Sequence, residues 1–257
     1  MARSGLIALI VILIVAISAV LYYNGIGDHG QPAVLYNDDS SNNDSLENND
    51  PLIKQQRPMI FKQDDFEQLS PWQTFVTPNN QYVIELAASL DSVQDVYSEA
   101  VSWTWVSDDV LHGQSEKWIL PGEFISQTPS YDTNPVKGRI VSDCEEQAYT
   151  LVSLLRAFGV PASDVRVVVG KVMVGGETGG HAWVELLEGG VWMQLEATTG
   201  PYWDENANEL VLRRGGNFRY YLDHSYPVVE VWGYFNDMYY FNPTTGEGNA
   251  PQGWIAV

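Results

Sequence analysis

Apolar residues in the middle of the chain recur at intervals of three and four positions, which is the spacing of amphipathic helices. The first such stretch begins after Asp91 and ends at Gly113, a residue type that commonly terminates helices. Its apolar positions are Val93, Val96, Tyr97, Ala100, Val101 and Trp105. This spacing predicts one core helix through the whole stretch.

A second helical pattern follows a long loop that proline and glycine interrupt. Ser142 and Glu145 form a capping-box pattern, in which a serine N-cap is followed three residues later by an acid. Ser142 is therefore predicted to be the N-cap, and Gly159 the residue that ends the helix. Cys144 then lies in the first turn, ahead of one apolar face made of Ala148, Leu151, Val152, Leu155 and Phe158.

After this helix the apolar period shortens to two residues, which indicates strands. The segment VRVVVGKVMV is rich in β-branched residues and predicts a strand over 165–174. The segment HAWVELLEGGVWMQLEATTG contains two alternating runs on either side of a turn predicted at Glu188 and Gly189. A turn there pairs His181 directly with Glu196, on the same side of the sheet. A slip of one residue would move them to opposite faces.

The first 27 residues are expected to form a transmembrane signal anchor outside the fold. From Leu6 to Tyr23 the chain is apolar and uncharged. At ~1.5 Å per residue, this run is long enough to span most of a ~30 Å hydrocarbon core. Arg3 on the short side and Asp28 beyond favour a cytoplasmic N-terminus. A cleaved signal peptide is the alternative, and in both cases the rest of the chain is expected outside the cytoplasm.

Composition divides the remaining chain into a tether and a domain. Residues 28–58 are dominated by Asn, Asp and Ser and are expected to be a disordered polar linker. Residues 59–257 carry enough apolar and aromatic residues for one sizeable domain. The net charge of −20 argues against a nucleic-acid partner and would attract cationic substrates. A single cysteine excludes an internal disulfide and a cysteine-based zinc site.

The position of Cys144 indicates nucleophilic catalysis. The dipole at a helix N-terminus stabilises a thiolate, so the pKa of this thiol is expected to lie below that of free cysteine. Asp143, Glu145 and Glu146 surround it and oppose the thiolate electrostatically. The alternative for a lone cysteine is a small buried residue without chemistry.

His181 is the predicted general base, and Glu196 is the acid that would orient its ring. The alternative for His181 is a structural histidine at a strand edge, and His224 is a second candidate for the base. The backbone N–H of Cys144 would help to bind an oxyanion, and Trp118 is a candidate for the second donor.

Three segments resemble, in order, the three sequence blocks of the transglutaminase-like superfamily: DCEEQAYTLVSLLRAFGVPASDVRVV, HAWVEL and VWMQLEATTG. In that family a cysteine opens a helix, a His-Ala-Trp-Val-Glu strand follows, and a third block carries an acid. The resemblance implies an α+β, papain-like core in which the cysteine helix packs on an antiparallel sheet. It also implies Cys144 as nucleophile, His181 as base and Glu196 in the acid position, where members more often have Asp.

The family includes peptidases, amidases, transglutaminases and members without catalysis. We therefore expect a membrane-tethered cysteine amidase or peptidase that acts through a thioester on protein or peptide amides. The alternatives are a true transglutaminase, in which an amine resolves the thioester, and an inactive binding module that keeps the fold.

Calcium is the one cofactor that the resemblance raises, and the chemistry itself requires none. Bacterial transglutaminase-like cysteine proteinases have an Asp-Cys-Glu-Asp phrase whose acids are associated with calcium. Here Asp143, Glu145 and Glu146 hold the corresponding positions. Carboxylates this close repel one another, and a hard cation would relieve that repulsion. The alternative is that these acids complement the helix dipole, with Glu145 bonded back to Ser142.

Overall fold

The computed structural model describes residues 71–174, 177–222 and 227–255. Among these residues no helix is both long and apolar enough to cross a membrane. The predicted signal anchor at 1–27 and the predicted linker at 28–58 lie outside the described residues, so both remain predictions.

The described residues form six α-helices, ten strands and five short 3₁₀ turns. The helices are α1 Gln81–Ala88, α2 Val93–Ala100, α3 Asp108–His112, α4 Pro121–Ser126, α5 Cys144–Phe158 and α6 Gln252–Ile255. The 3₁₀ turns are Pro71–Phe75, Thr128–Ser130, Ala162–Asp164, Ala197–Thr199 and Phe218–Leu222. Five of the six helices precede the strands of the large sheet along the chain, which is the α+β arrangement expected from the sequence.

A six-stranded antiparallel sheet forms the main layer, in the order β10-β9-β8-β3-β4-β5. Its strands are β3 Val165–Val174, β4 Glu177–Glu188, β5 Val191–Leu195, β8 Val228–Phe235, β9 Tyr240–Asn242 and β10 Glu247–Gly248. A smaller sheet has the order β2-β1-β6-β7. It contains β1 Thr104–Trp105, β2 Val141–Ser142, β6 Tyr202–Asp204 and β7 Glu209–Val211. Strand β1 is parallel to both of its neighbours, β2 and β6.

Helix α5 lies at the centre of the fold, against one face of the large sheet. Its side chains are buried without interruption from Glu146 to Arg156, so the helix is covered on all sides rather than on one stripe. On strand β4 the alternate residues Ala182, Val184 and Leu186 belong to the same apolar core. Gly159 ends the helix in the left-handed conformation, with φ of 115°, as predicted.

The single helix predicted between residues 91 and 113 is wrong. Helix α2 ends at Ala100, the chain extends through β1, and α3 is a separate short helix. Thr104 and Trp105 pair with Val141 and Ser142 in the neighbouring strand. Trp105 occupies the next apolar position of the helical spacing, so the pattern continued past the real end of α2. A large apolar residue fits a buried strand equally well, and periodicity alone does not separate the two. Here tertiary pairing overrides local periodicity.

The outer face of the large sheet carries a buried ion pair between Arg166 and Glu185. The guanidinium Nη2 lies 2.6 Å from Oε2 of Glu185, and Nη1 donates to the carbonyl of Trp254 at 3.2 Å. The rings of Trp192 and Tyr234 stack on the guanidinium, with centroids 4.1 and 3.9 Å from Cζ. This arrangement secures α6, at the C-terminal end of the described chain, to the sheet.

Replacing Arg166 by Met should destabilise the protein by about 3–5 kcal/mol, because the carboxylate of Glu185 would stay buried without its counter-charge. The double variant Arg166→Met, Glu185→Met removes both charges and should recover most of that loss. Urea unfolding followed by tryptophan fluorescence measures both effects. If the double variant is no more stable than the single one, packing of the arginine against the rings, not charge compensation, dominates.

Candidate active site

Cys144 is positioned by the junction between strand β2 and helix α5. Asp143 is the N-cap residue, with extended backbone angles and no side-chain capping hydrogen bond. The predicted capping box is therefore wrong by one residue. Ser142 belongs to β2, where its carbonyl accepts from the N–H of Val106 at 3.0 Å. Its hydroxyl donates to Oε2 of Glu146 at 2.9 Å instead of capping the helix.

The Cys144 thiol is buried in an acidic environment. Only 4% of the residue is exposed, and Sγ donates to Oε2 of Glu145 at 3.1 Å. Burial raises the pKa of the thiol well above its usual value, the carboxylates of Glu145 and Asp143 raise it further, and the N–H of Ala182 only partly opposes them. The predicted depression of the thiol pKa is wrong for this state, because burial and the neighbouring acids outweigh the helix N-terminus.

His181 and Glu196 form a close, buried pair. Nε2 of His181 donates to Oε2 of Glu196 at 2.6 Å, and the two residues are 4% and 3% exposed. Burial alone would lower the pKa of His181, but Glu196, through charge and hydrogen bonding, and the charge of Glu145 together raise it. The contact predicted from the alternating pattern is therefore present in the structure.

The register that produces this contact differs from the predicted one. Glu188 pairs with Val191, so the turn lies at Gly189 and Gly190, where φ is 58° and 85°. Both glycines have the left-handed conformation that a two-residue hairpin turn of this kind requires. The pairing is shifted by two residues from the prediction. A shift of two keeps each side chain on its face, which is why Glu196 still reaches His181.

Five acidic residues cluster at the start of α5: Asp108, Glu116, Asp143, Glu145 and Glu146. Burial, then the charge of Glu146, raises the pKa of Asp108 to about 8. Burial, then the charge of Glu145, raises the pKa of Glu116 to about 7. Burial also raises the pKa of Asp143 well above its usual value and raises that of Glu146. The cluster therefore keeps protons at a pH where isolated carboxyl groups are ionised.

Two groups of side chains in this cluster place their ligand atoms within 4.8 Å of one another. One is Asp143, Cys144 and Glu145, and the other is Asp108, Asp143 and Glu146. Asp108 was missed in the sequence because it lies far from Cys144 along the chain, in the first turn of α3. Only the packing of α3 beside the start of α5 makes it part of the site.

Three further residues considered in the sequence are Trp118, His224 and Trp105. Trp118 lies in an aromatic cluster with Trp72, Phe75 and Tyr149, which is core packing and does not support the predicted role as an oxyanion donor. His224, the alternative base, lies outside the described residues. Trp105 was predicted only as a core residue. Its indole Nε1 is buried and has no hydrogen-bond partner among the described residues.

Comparison with known proteins supports the resemblance seen in the sequence. Residues 125–197 match the family described as the transglutaminase-like superfamily. This segment, less than a third of the chain, contains Cys144, His181 and Glu196. The chain therefore carries a transglutaminase-like core segment. No curated protein matches the chain.

Solved structures that match the chain include calcium-bound LapG of Legionella pneumophila, which is 14% identical with a TM-score of 0.40. The alignment covers 70% of this chain and 97% of that protein. EGTA-treated LapG gives the same identity and TM-score over 71% and 96% of the two chains. A Cytophaga hutchinsonii protein proposed to be a cysteine protease is 16% identical, with a TM-score of 0.34 over 51% and 43%.

The protein should lose stability as the pH rises from about 4 to 8 in the absence of divalent cations. The carboxyl of Asp108 has its folded pKa raised to about 8 from 3.8, so the folded state binds more protons than the unfolded state across this range. Stability from this group is complete below pH 4 and is lost as the pH passes through 8.

Asp108→Asn should flatten this dependence and stabilise the protein at pH 8 by on the order of 1 kcal/mol or more, because an uncharged amide replaces a carboxyl that must ionise. Its side-chain oxygen can still accept from the N–H of Lys117. Asp91→Asn, at an exposed position, is the matched control and should change nothing. Melting temperatures at pH 5 and pH 8 measure the effect. An equal change in melting temperature between the two pH values in the wild type, Asp108→Asn and Asp91→Asn would contradict it.

Proposed function

We propose that this protein is a cysteine amidase or peptidase of the transglutaminase-like type, acting through a thioester on protein or peptide amides. The observation that carries the proposal is the buried contact of 2.6 Å between His181 and Glu196. His181 lies on β4, and the next residue of that strand, Ala182, contacts the Cys144 sulfur through its backbone N–H. A nucleophile, a base and an orienting acid are the three parts that this chemistry needs.

The proposed reaction starts with proton transfer from the thiol to His181. Because Nε2 is held by Glu196, Nδ1 is the ring nitrogen that takes this proton. The sulfur of Cys144 then attacks the amide carbonyl, and the C–N bond breaks as His181 returns the proton to the departing amine. Water attacks the resulting thioester with His181 again as base, which releases the acid and restores the thiol.

The tetrahedral intermediate needs two hydrogen-bond donors for its negatively charged oxygen. The first is the backbone N–H of Cys144, the first residue of α5. We assign the second role to Nε1 of Trp105, on the strand beside Ser142, because it is a buried donor with no hydrogen-bond partner among the described residues. A buried N–H that stays unsatisfied costs stability, which is commonly tolerated where a site serves function.

The alternatives differ in what resolves the thioester. In a transglutaminase an amine replaces water, and in an inactive binding module no thioester forms. Retention of Cys144, His181 and Glu196 within one matched segment favours catalysis over the module.

We also propose that residues 1–27 anchor the protein in a membrane, with residues 59–257 facing outward as the catalytic domain. The substrates would be proteins or peptides, cationic ones preferred by the net charge of −20, with no nucleic acid bound.

Cys144→Ala should abolish turnover, and His181→Ala should reduce it by about 10²–10⁴-fold, since His181 transfers a proton in both steps. Glu196→Gln should also reduce turnover while the fold is retained, because the amide can hold the wrong tautomer of the imidazole. The assay combines a glutamine-containing peptide with a labelled primary amine. Released ammonia or new termini indicate hydrolysis, and incorporated label indicates transfer.

Alkylation by iodoacetamide gives a second measurement that needs no substrate. The folded protein should be modified at Cys144 more slowly after His181→Ala, near neutral pH. Reaction of Cys144 only after denaturation, together with no turnover on any amide, would favour the inactive module.

We further propose that calcium is a regulatory ligand of the acidic cluster. The chain's own residues fit a hard cation, because Oδ1 of Asp108 and Oδ1 of Asp143 are buried and, within the part of the chain that the structure describes, have no hydrogen-bond partner. Glu146 is a weaker candidate than the sequence suggested, since its oxygens accept from Ser142, Tyr149 and the N–H of Ile119. Glu145, the third predicted ligand, accepts from the thiol of Cys144. A bound cation would supply positive charge beside the thiol.

Calcium at millimolar concentration should raise the melting temperature and speed alkylation of Cys144, because it would offset the negative field of the cluster. Magnesium should do less, since it demands a smaller octahedral site and gives up its water reluctantly. Asp108→Asn should weaken the response to calcium, and Asp91→Asn should not. Equal responses to both ions, or none, would contradict a selective calcium site and would favour the alternative that these acids complement the helix dipole.

A further inference from the structure

We infer that Thr198 is a positioning residue that fixes the carboxylate of Glu196 for its contact with His181. The inference deepens the proposed function and rests on it, because it concerns the same pair of side chains. Thr198 lies two residues after Glu196 in the 3₁₀ turn Ala197–Thr199 and is 6% exposed.

The two oxygens of Glu196 are divided between different partners. Oε1 accepts two hydrogen bonds from Thr198, one from its backbone N–H at 2.8 Å and one from its hydroxyl at 2.7 Å. Oε2 accepts from Nε2 of His181 at 2.6 Å. Thr198 therefore holds one oxygen of the carboxylate and orients the group so that the other oxygen faces the imidazole.

The backbone of this turn is held from the opposite side as well. The hydroxyl of Tyr97, on helix α2, donates to the carbonyl of Glu196 at 2.8 Å, and Tyr97 is 1% exposed. The hydroxyl of Thr199 accepts from the N–H of Gly216 at 2.7 Å. These contacts fix the backbone of the turn, so only the side-chain torsions of Glu196 remain to be ordered. The hydrogen bonds from Thr198 order them.

A glutamate needs this restraint more than an aspartate would. Its longer side chain has an additional rotatable bond, and ordering that bond costs conformational entropy. Two donors on Oε1 order it before a substrate arrives, and they also favour the ionised carboxylate. An aspartate on the same backbone would be shorter by one methylene, about 1.5 Å. It could not contact Thr198 and His181 at the same time without moving the turn.

Among the described residues, two elements carry the charged groups that raise the pKa of His181. Glu196 belongs to the turn, Glu145 belongs to α5, and the indole of Trp183 on β4 stacks at 6.3 Å from the imidazole. Burial lowers the pKa of His181, and the carboxylates raise it. Loosening Glu196 therefore lowers the pKa of His181 and reduces the fraction of time in which the ring is oriented for proton transfer.

The test compares Thr198→Val with Thr198→Ser in the full-length protein. Valine keeps the volume and the backbone N–H but lacks the hydroxyl, whereas serine keeps the hydroxyl. Thr150→Val is the matched control, because Thr150 is fully buried and its hydroxyl has no partner among the described residues. The His181 pKa is measured by NMR on histidine-labelled protein, assigned with His181→Gln, and kcat and KM are measured on the amide substrate.

Thr198→Val should lower the His181 pKa and reduce kcat about tenfold with KM unchanged, the size expected for one hydrogen bond to a charged group. Thr198→Ser and Thr150→Val should behave like the wild type. Glu196→Asp should lower the His181 pKa and kcat about as much as Thr198→Val does. The double variant Thr198→Val, Glu196→Asp should lose little more kcat than either single variant. If Thr198→Val fails to fold, Thr198→Ala and Thr198→Ser replace the pair, since they also differ in the hydroxyl.

An unchanged His181 pKa in the variant without the hydroxyl would overturn the inference. Equal losses in the serine and valine variants would also overturn it, because packing rather than the hydroxyl would then be responsible. The NMR titration needs no turnover, so it separates this inference from the proposed function. A wild type without activity on any amide contradicts the function, while the shift in the His181 pKa still decides the role of Thr198.

Discussion

The packing of helix α5 on the large sheet is the constraint on which the rest of the structure depends. The helix is buried around its whole circumference, so its axis has one position relative to strand β4. Its first residue, Cys144, is thereby placed beside Ala182, the neighbour of His181. A helix held on only one face could shift along the sheet, and the Cys144 thiol would shift with it.

The same packing creates an electrostatic problem at the start of the helix. Burial removes water from Asp143, Glu146 and the thiol at once, and helix α3 adds Asp108. Raised carboxyl pKa values show how the fold accommodates these groups, because shared protons reduce the repulsion. The thiol is held protonated by the same field, through its hydrogen bond to Glu145. The thiol and the acids that surround it are therefore controlled together, and a cation or a proton near them would act on both.

The second half of the candidate site is organised differently. His181 and Glu196 lie on strand β4 and on the turn after strand β5, and each hydrogen bond there has a defined donor and acceptor. Glu196 is oriented by Thr198 and anchored through its carbonyl by Tyr97. This half is preorganised, whereas the half around Cys144 is restrained by charge. The pKa of His181 is raised because the charge and hydrogen bond of Glu196, together with the charge of Glu145, outweigh the effect of burial.

The sequence by itself determined the local elements and the residue types of the site. The apolar face of α5, its end at Gly159 and the alternation around His181 all follow from near-neighbour physics, so they were predictable. The tertiary structure decided whatever depends on residues far apart in the chain. It ended α2 early by pairing Trp105 in a strand, and it buried Asp108 beside Asp143 and Glu146. It also reversed the expected direction of the thiol pKa, because desolvation depends on what packs over a group, which no local pattern contains.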